Sequence, residues 1–148
     1  EQRVEELALL GFGHADLIIA VPDFWIDVRT LDDLDAAAAK FRARNNFRLR
    51  IATKYHRLIR DYLRQNGVAD YQLVDSQGAT EGTVKNETAE AVADITSTGE
   101  TLRANHLRLL DDGPALKSQA TLFRSKKAVM TDEERVSLTT LLGKLSLI

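Results

Sequence analysis

One stretch of this chain concentrates residues that can do chemistry: "ADITSTGETLRANHL", residues 93–107. Asp94 ends an apolar run, and Thr96, Ser97, Thr98 and Thr101 surround Gly99. If a helix starts here, its first backbone N–H groups lack intrahelical partners, and its dipole favours an anion. Hydroxylated side chains around a glycine let the backbone wrap a ligand closely and add donors. A carboxylate accepts two hydrogen bonds, which suits a vicinal diol. Phosphate donors beside a diol acceptor describe a site for a ribose 5-phosphate. The same residues carry a plainer reading. Ser97-x-x-Glu100 has the spacing of a capping box, and hydroxyl-rich turns also serve only to cap helices. Glu100 is compatible with a bound phosphate only if its carboxylate turns outward.

The elements that must position this turn follow from hydrophobic periodicity. "ADLIIAV" (15–21), closed by Pro22, reads as a buried strand. Thr30 is a good N-cap for a helix over 31–45, with Asp32 and Asp33 in the first turn and Leu31, Leu34, Ala38 and Phe41 on one face. "RLRIAT" (48–53) predicts a strand, and the next helix carries Tyr55, Leu58, Ile59, Tyr62 and Leu63 on one stripe before Gly67. "YQLVDS" (71–76) and "AVADIT" (91–96) predict two more strands around a weakly patterned segment. Beyond Leu107, two strands flank an Asp-Gly-Pro break. A Thr131-x-x-Glu134 capping box then opens a last helix with Leu138, Leu141, Leu142 and Leu145 on one side. Strands alternating with helices predict an α/β layer structure with a largely parallel sheet and an antiparallel terminal pair.

Composition removes several alternatives. The 148 residues suffice for one domain with a real core. A formal net charge of −2 gives no basic bias, so neither nucleic acid nor membrane is an expected partner. The chain has no cysteine, which excludes disulfides and thiolate chemistry. No apolar run approaches the roughly 20 residues of a membrane-spanning helix, and no signal peptide is visible, so the cytoplasm is the expected location. His14, His56 and His106 are too scattered for a metal motif, and "DDLD" reads as a helix start, so no protein-held metal is expected. Arg42, Arg44, Arg48 and Arg50 fit a helix end followed by a strand better than a nucleic-acid surface. Phe24 and Trp25 read as core rather than as an interface anchor, and Gly11 and Gly13 as a hinge or a tight turn.

"DITSTGETLRANHL" resembles the phosphoribosyl-diphosphate loop of the ATP phosphoribosyltransferase family. The likeness extends, in family order, to "LGFGHADLIIAVP" (10–22), "LRIATKY" (49–55), "GATEG" (78–82) and "KSQATLFRSK" (117–126). "DFWIDV" and "LRANHL" resemble short bacterial members most. The chain departs from the family pattern at Thr80, usually Val, at His56, often Pro, and at Glu90, which holds the place of an Asp.

The resemblance implies an α/β lobe like those of type II periplasmic binding proteins, with a mostly parallel mixed sheet flanked by helices. It implies transfer of the phosphoribosyl group of phosphoribosyl diphosphate to N1 of ATP with release of pyrophosphate, the first step of histidine biosynthesis. Mg2+ would be bound through the substrate diphosphate. By the same matching, Asp94 would hold the ribose hydroxyls and act catalytically. Thr96, Ser97, Thr98, Gly99 and Thr101 would hold the 5-phosphate, and Lys54 and Glu81 would lie near the cleft. Residues 1–130 match the second lobe and 131–148 a C-terminal helix. The first lobe and a histidine-sensing domain have no counterpart here, which predicts that the chain alone is inactive. The implied partners are ATP, phosphoribosyl diphosphate, further copies of the subunit and a regulatory subunit resembling histidyl-tRNA synthetase. The alternative is a non-catalytic α/β module that binds a small phosphorylated ligand.

Overall fold

The structure, a computed structural model, describes residues 3–76, 78 and 80–145. Its strands are β1 (Val4–Leu9), β2 (Ala15–Pro22), β3 (Leu49–Thr53), β4 (Tyr71–Asp75), β5 (Ala91–Thr96), β6 (Leu107–Leu109), β7 (Leu116–Ser118) and β8 (Thr121–Ser125). Its helices are α1 (Leu31–Asn45), α2 (His56–Gln65), α3 (Gly82–Lys85), α4 (Glu100–Ala104) and α5 (Asp132–Leu145). By packing the chain divides into two units, Ala15–Lys117 and the pair of segments Glu1–His14 and Ser118–Ile148.

The larger unit is built on a mixed sheet of order β4-β3-β5-β2-β6, with β7 pairing β2 off that path. β4 and β5 run parallel to β3, while β2 runs antiparallel to both β5 and β6. The antiparallel strand is thus inside the sheet and not only in a terminal pair. The cause lies between β2 and α1. Asp23 N donates to His106 O at 2.8 Å and Asp111 N donates to Arg29 O at 2.7 Å, so residues 23–29 travel alongside 106–111. This return carries the chain back across the sheet before α1 begins, and α1 then delivers β3 in the direction opposite to β2.

From Leu17 to Pro22 β2 is apolar because both of its faces are covered. Leu17, Ile19 and Val21 join Leu49, Ile51, Ala91 and Ala93 beneath α1 and α2, which contribute Leu34, Ala38, Ile59 and Leu63. Ile18 and Ala20 face the other way, with Ala52, Val92, Leu102 and Leu107. Burying each such Leu or Ile contributes roughly 1.5–3 kcal/mol. The predicted stripe on α2 is narrower than the periodicity suggests, since Leu58 is 41% exposed.

The α1 cap forms as the sequence predicts. The Thr30 hydroxyl accepts from Asp33 N at 3.2 Å, and the Asp33 carboxylate accepts from Thr30 N at 2.9 Å. Those hydrogen bonds, that from Arg29 N foremost, hold the Asp33 carboxyl below the usual carboxylate range. Glu90 ties β5 to β3, accepting from Arg50 N at 2.7 Å and pairing with the Arg50 guanidinium. That hydrogen bond raises the Arg50 pKa.

In the smaller unit β1 and β8 pair antiparallel from Val4↔Ser125 to Leu9↔Thr121, with an irregularity between Glu6 and Ala8. Gly11 and Gly13 have φ of +72° and +63°, and the turn they make is fastened by Ala120 N donating to Phe12 O at 2.9 Å. The predicted Thr131–Glu134 box opens α5, with Thr131 N donating to Glu134 Oε2 at 2.7 Å. Of the predicted leucine stripe, Leu138, Leu142 and Leu145 are half-buried and Leu141 is exposed. Residues 146–148 of the expected helix, and Ala79 of the "GATEG" stretch, lie outside the described residues.

Candidate functional site

Asp94 stands on β5, opposite Ile18 of β2 and one residue beyond Ala93, which pairs with Thr53 of β3. The acid is therefore carried by a strand with neighbours on both sides. It is half-buried, and its Oδ1 accepts from Ile95 N at 2.8 Å. β5 then ends in a turn made from its own hydroxyls. Gly99 N donates to Thr96 Oγ1 at 2.9 Å, and Glu100 N donates to Thr98 Oγ1 at 3.3 Å.

The expected Ser97–Glu100 capping box is not what opens the helix. α4 starts at Glu100 with Gly99 as N-cap and no side-chain cap. The reason is Gly99 itself, whose φ of +73° places the last bend of the turn after Ser97 rather than before it. A Cβ at this position would meet Arg103 Nη1 at 3.2 Å, because the Arg103 side chain folds back over the glycine. Sequence spacing gives no sign of that contact.

Glu81 reaches the same place from another element. It is the N-cap of α3 and half-buried. The preceding residue, Thr80, is fully buried and donates from Oγ1 to Ser76 Oγ at 2.9 Å. Thr83 Oγ1 donates to Thr80 O at 2.6 Å. Thr53, also buried, accepts from Tyr55 N at 3.0 Å at the end of β3. These buried hydroxyls fasten the chain just beyond the ends of β3 and β4. The Thr80 hydroxyl, though fully buried, is satisfied by its bond to Ser76.

Glu81, Asp94, Thr96, Ser97, Thr98 and Thr101 line one depression of about 290 Å3, completed by Ile95 and Leu102. Lys54 is exposed and follows Thr53, so the register puts it beside Asp94 on the neighbouring strand, but its side chain is not part of the wall. Gly99 shapes the turn without lining the cavity. The depression is lined by two carboxylates and four hydroxyl groups. Its volume is at the small end for ligand cavities, which run from roughly 300 Å3. Among the described residues no three acidic or histidine side chains converge as a metal site.

The architecture is that of α/β lobes like those of periplasmic binding proteins. The structure of an ancestral arginine-binding protein bound to glutamine superposes with a TM-score of 0.53 at 10% identity, over 97% of this chain and 58% of that one. The ATP phosphoribosyl transferase (HisG:HisZ) complex from Thermotoga maritima matches with a TM-score of 0.59 at 20% identity, over 97% of this chain and 60% of that one. The sequence narrows the class. The model of the HisG family, ATP phosphoribosyltransferase, matches residues 1–146. An ATP phosphoribosyltransferase of Cereibacter sphaeroides is 76% identical over 126 residues, 85% of this chain and 53% of the relative. One of Mesorhizobium japonicum is 54% identical over 135 residues, 90% of this chain and 58% of the relative. The chain belongs to the ATP phosphoribosyltransferase family, and it spans a little over half the length of these relatives.

Proposed function

We propose that this chain is the part of an ATP phosphoribosyltransferase that grips phosphoribosyl diphosphate. Residues 1–130 serve as the second lobe and 131–148 as its C-terminal helix, and the first lobe belongs to the length of the relatives that this chain does not span. The whole enzyme joins C1 of the phosphoribosyl group to N1 of ATP and releases pyrophosphate, opening histidine biosynthesis in the cytoplasm. The observation that carries the reading is the gathering of Glu81, Asp94, Thr96, Ser97, Thr98 and Thr101 around one depression in a member of this family.

The roles follow from chemistry. As the C1–O bond to pyrophosphate breaks and the bond to N1 forms, C1 gains positive charge. Catalysis then rests on holding both reactants in line and on stabilising charge that develops. Asp94 accepts from the 2- and 3-hydroxyls and sits as a negative charge beside that carbon. Thr96, Ser97, Thr98 and Thr101, with the backbone at Gly99, hold the 5-phosphate. Lys54 and Glu81 flank the cleft. Divalent metal chemistry fits this donor set only in a limited way. Glu81 and Asp94 are the two carboxylates at the depression, so Mg2+ would arrive on the substrate diphosphate, where it neutralises the leaving group's charge. Partners in the working enzyme are further copies of the subunit and a regulatory subunit resembling histidyl-tRNA synthetase. The Thermotoga maritima relative is itself described as a HisG:HisZ complex.

Titration of phosphoribosyl diphosphate and ribose 5-phosphate into the chain, followed by amide NMR, tests the reading. Saturable shifts centred on residues 81 and 94–102 are expected from both ligands. Shifts that leave 94–101 untouched would overturn it.

A further inference from the structure

The sheet edge opposite the candidate site carries an aromatic groove. Because β2 is antiparallel to β5, its end at Pro22 lies near the amino ends of β3 and β5, away from Asp94. A depression of about 690 Å3 is lined there by Pro22, Phe24, Trp25, Phe41 and Phe47. A second, of about 300 Å3, adjoins it and shares Trp25, Phe41 and Asn45. The rings form a fixed surface. Phe41 meets Phe47 edge-on at 5.2 Å between centroids, and the Arg50 guanidinium stands 5.3 Å over the Phe47 ring. Phe24 is 72% exposed, Phe47 45% and neighbouring Ile26 74%, so the expectation that Phe24 joins the core fails. The residues between β2 and α1 are committed to the return along β6, and that course leaves Phe24 and Ile26 facing solvent.

The lining of the groove itself is rich in cations, while the exposed Asp23 and Asp27 flank Phe24 and Ile26 at its rim. The chain as a whole carries a net charge of −2. The two depressions are instead lined by Lys40, Arg44, Arg50 and Lys85 against Glu87 and Glu90. Glu90 is already engaged by Arg50, which leaves three cations facing one carboxylate. Exposed aromatics beside arginine have the composition of a binding hot spot, and the lysines add positive charge at its edge. A small ligand filling only the depressions would leave Ile26 and most of Phe24 in water, whereas a macromolecular partner covers them.

We propose that this groove docks an acidic amphipathic helix of a partner protein. One apolar side chain enters each depression, as residues one helical turn apart on a helix allow, and flanking carboxylates face Lys40, Arg44 and Lys85. The site is independent of the phosphoribosyl reading and lies at the other end of the sheet.

Trp25 is the only tryptophan of the chain, so its fluorescence reports on this groove alone. The probe is a synthetic helix of roughly 16 residues with two leucines one turn apart and glutamates elsewhere on that face. The expected result is a saturable blue shift of Trp25 emission. A counterpart with lysine in place of glutamate, one with serine in place of leucine, and the Phe24→Ala chain should each bind about tenfold more weakly or worse. The double variant Lys40→Glu, Arg44→Glu, at two exposed positions, should reverse the preference between the glutamate and lysine peptides. Far-UV circular dichroism unchanged in the variants ties these losses to the groove rather than to unfolding. Equal binding of both peptides, or no saturable shift, overturns the proposal. So does a shift that follows protein concentration alone, which assigns the groove to a second copy. A response to anilinonaphthalene sulfonate with none to the acidic peptide assigns it to small aromatic anions and overturns it equally.

Discussion

Gly99 and Asp94 do different work a few residues apart, and single substitutions separate them. Gly99→Ala puts a Cβ on a residue with φ of +73° and within 3.2 Å of Arg103 Nη1. The left-handed backbone alone costs an L-residue about 1–2 kcal/mol. A lowered melting temperature and weaker ribose 5-phosphate binding are expected together. Adding Arg103→Ala removes the contact but not the backbone strain, so it should restore only part of the stability; full restoration would show that the glycine is needed for space alone. Asp94→Asn keeps the shape and removes the charge. Its side chain is half-buried and bonded to Ile95 N, so the fold should hold. Affinity for ribose 5-phosphate should drop about tenfold, the loss of a charge-assisted hydrogen bond. Calorimetric titration of both proteins measures it, and equal affinities would remove Asp94 from the site.

At the scale of elements the caps are the parts most open to test and most openly written in the sequence. Thr30→Ala removes the acceptor of the Asp33 N–H and should cost about 1 kcal/mol, read as a shift of the urea midpoint. Asp33 and Glu134 are both held below the usual carboxylate range by hydrogen bonds, led by those from Arg29 N and Thr131 N. A depressed carboxyl adds stability that is present above its unfolded value of about 4 and is lost as pH falls through the lowered folded value. The starts of α1 and α5 should therefore loosen in acid, with the protection of the Arg29, Thr30 and Thr131 amides against exchange falling first. Those caps were legible because the Thr30 N-cap and the Thr131-x-x-Glu134 spacing are local, although the return bond from Thr30 N to Asp33 was not foreseen. The turn at 94–101 was legible for the same reason, since its acid, hydroxyls and glycine are consecutive. What failed depended on distant partners. β1, charged at Glu5 and Glu6, carries no strand expectation in the sequence, and becomes a strand by pairing with residues about 120 positions later. The direction of β2 depends on the return of residues 23–29 along β6, which no periodicity records. The Ser97–Glu100 box lost to the left-handed Gly99, a choice between two caps that spacing cannot make.

At the scale of the molecule, the depression around Asp94 is small and this chain covers about half of its relatives' length. The pure chain should bind a phosphoribosyl ligand yet release no pyrophosphate from ATP and phosphoribosyl diphosphate, and a coupled pyrophosphate assay decides the point. The pairing of Val4 with Ser125 has a consequence for how the polypeptide is made. Residues 15–117 are contiguous and can collapse as soon as they leave the ribosome. β1 emerges before them, and its pairing with β8 can form only once residues 121–125 follow. During that interval the acidic Glu5 and Glu6 are suited to keeping its edge from mispairing with other strands.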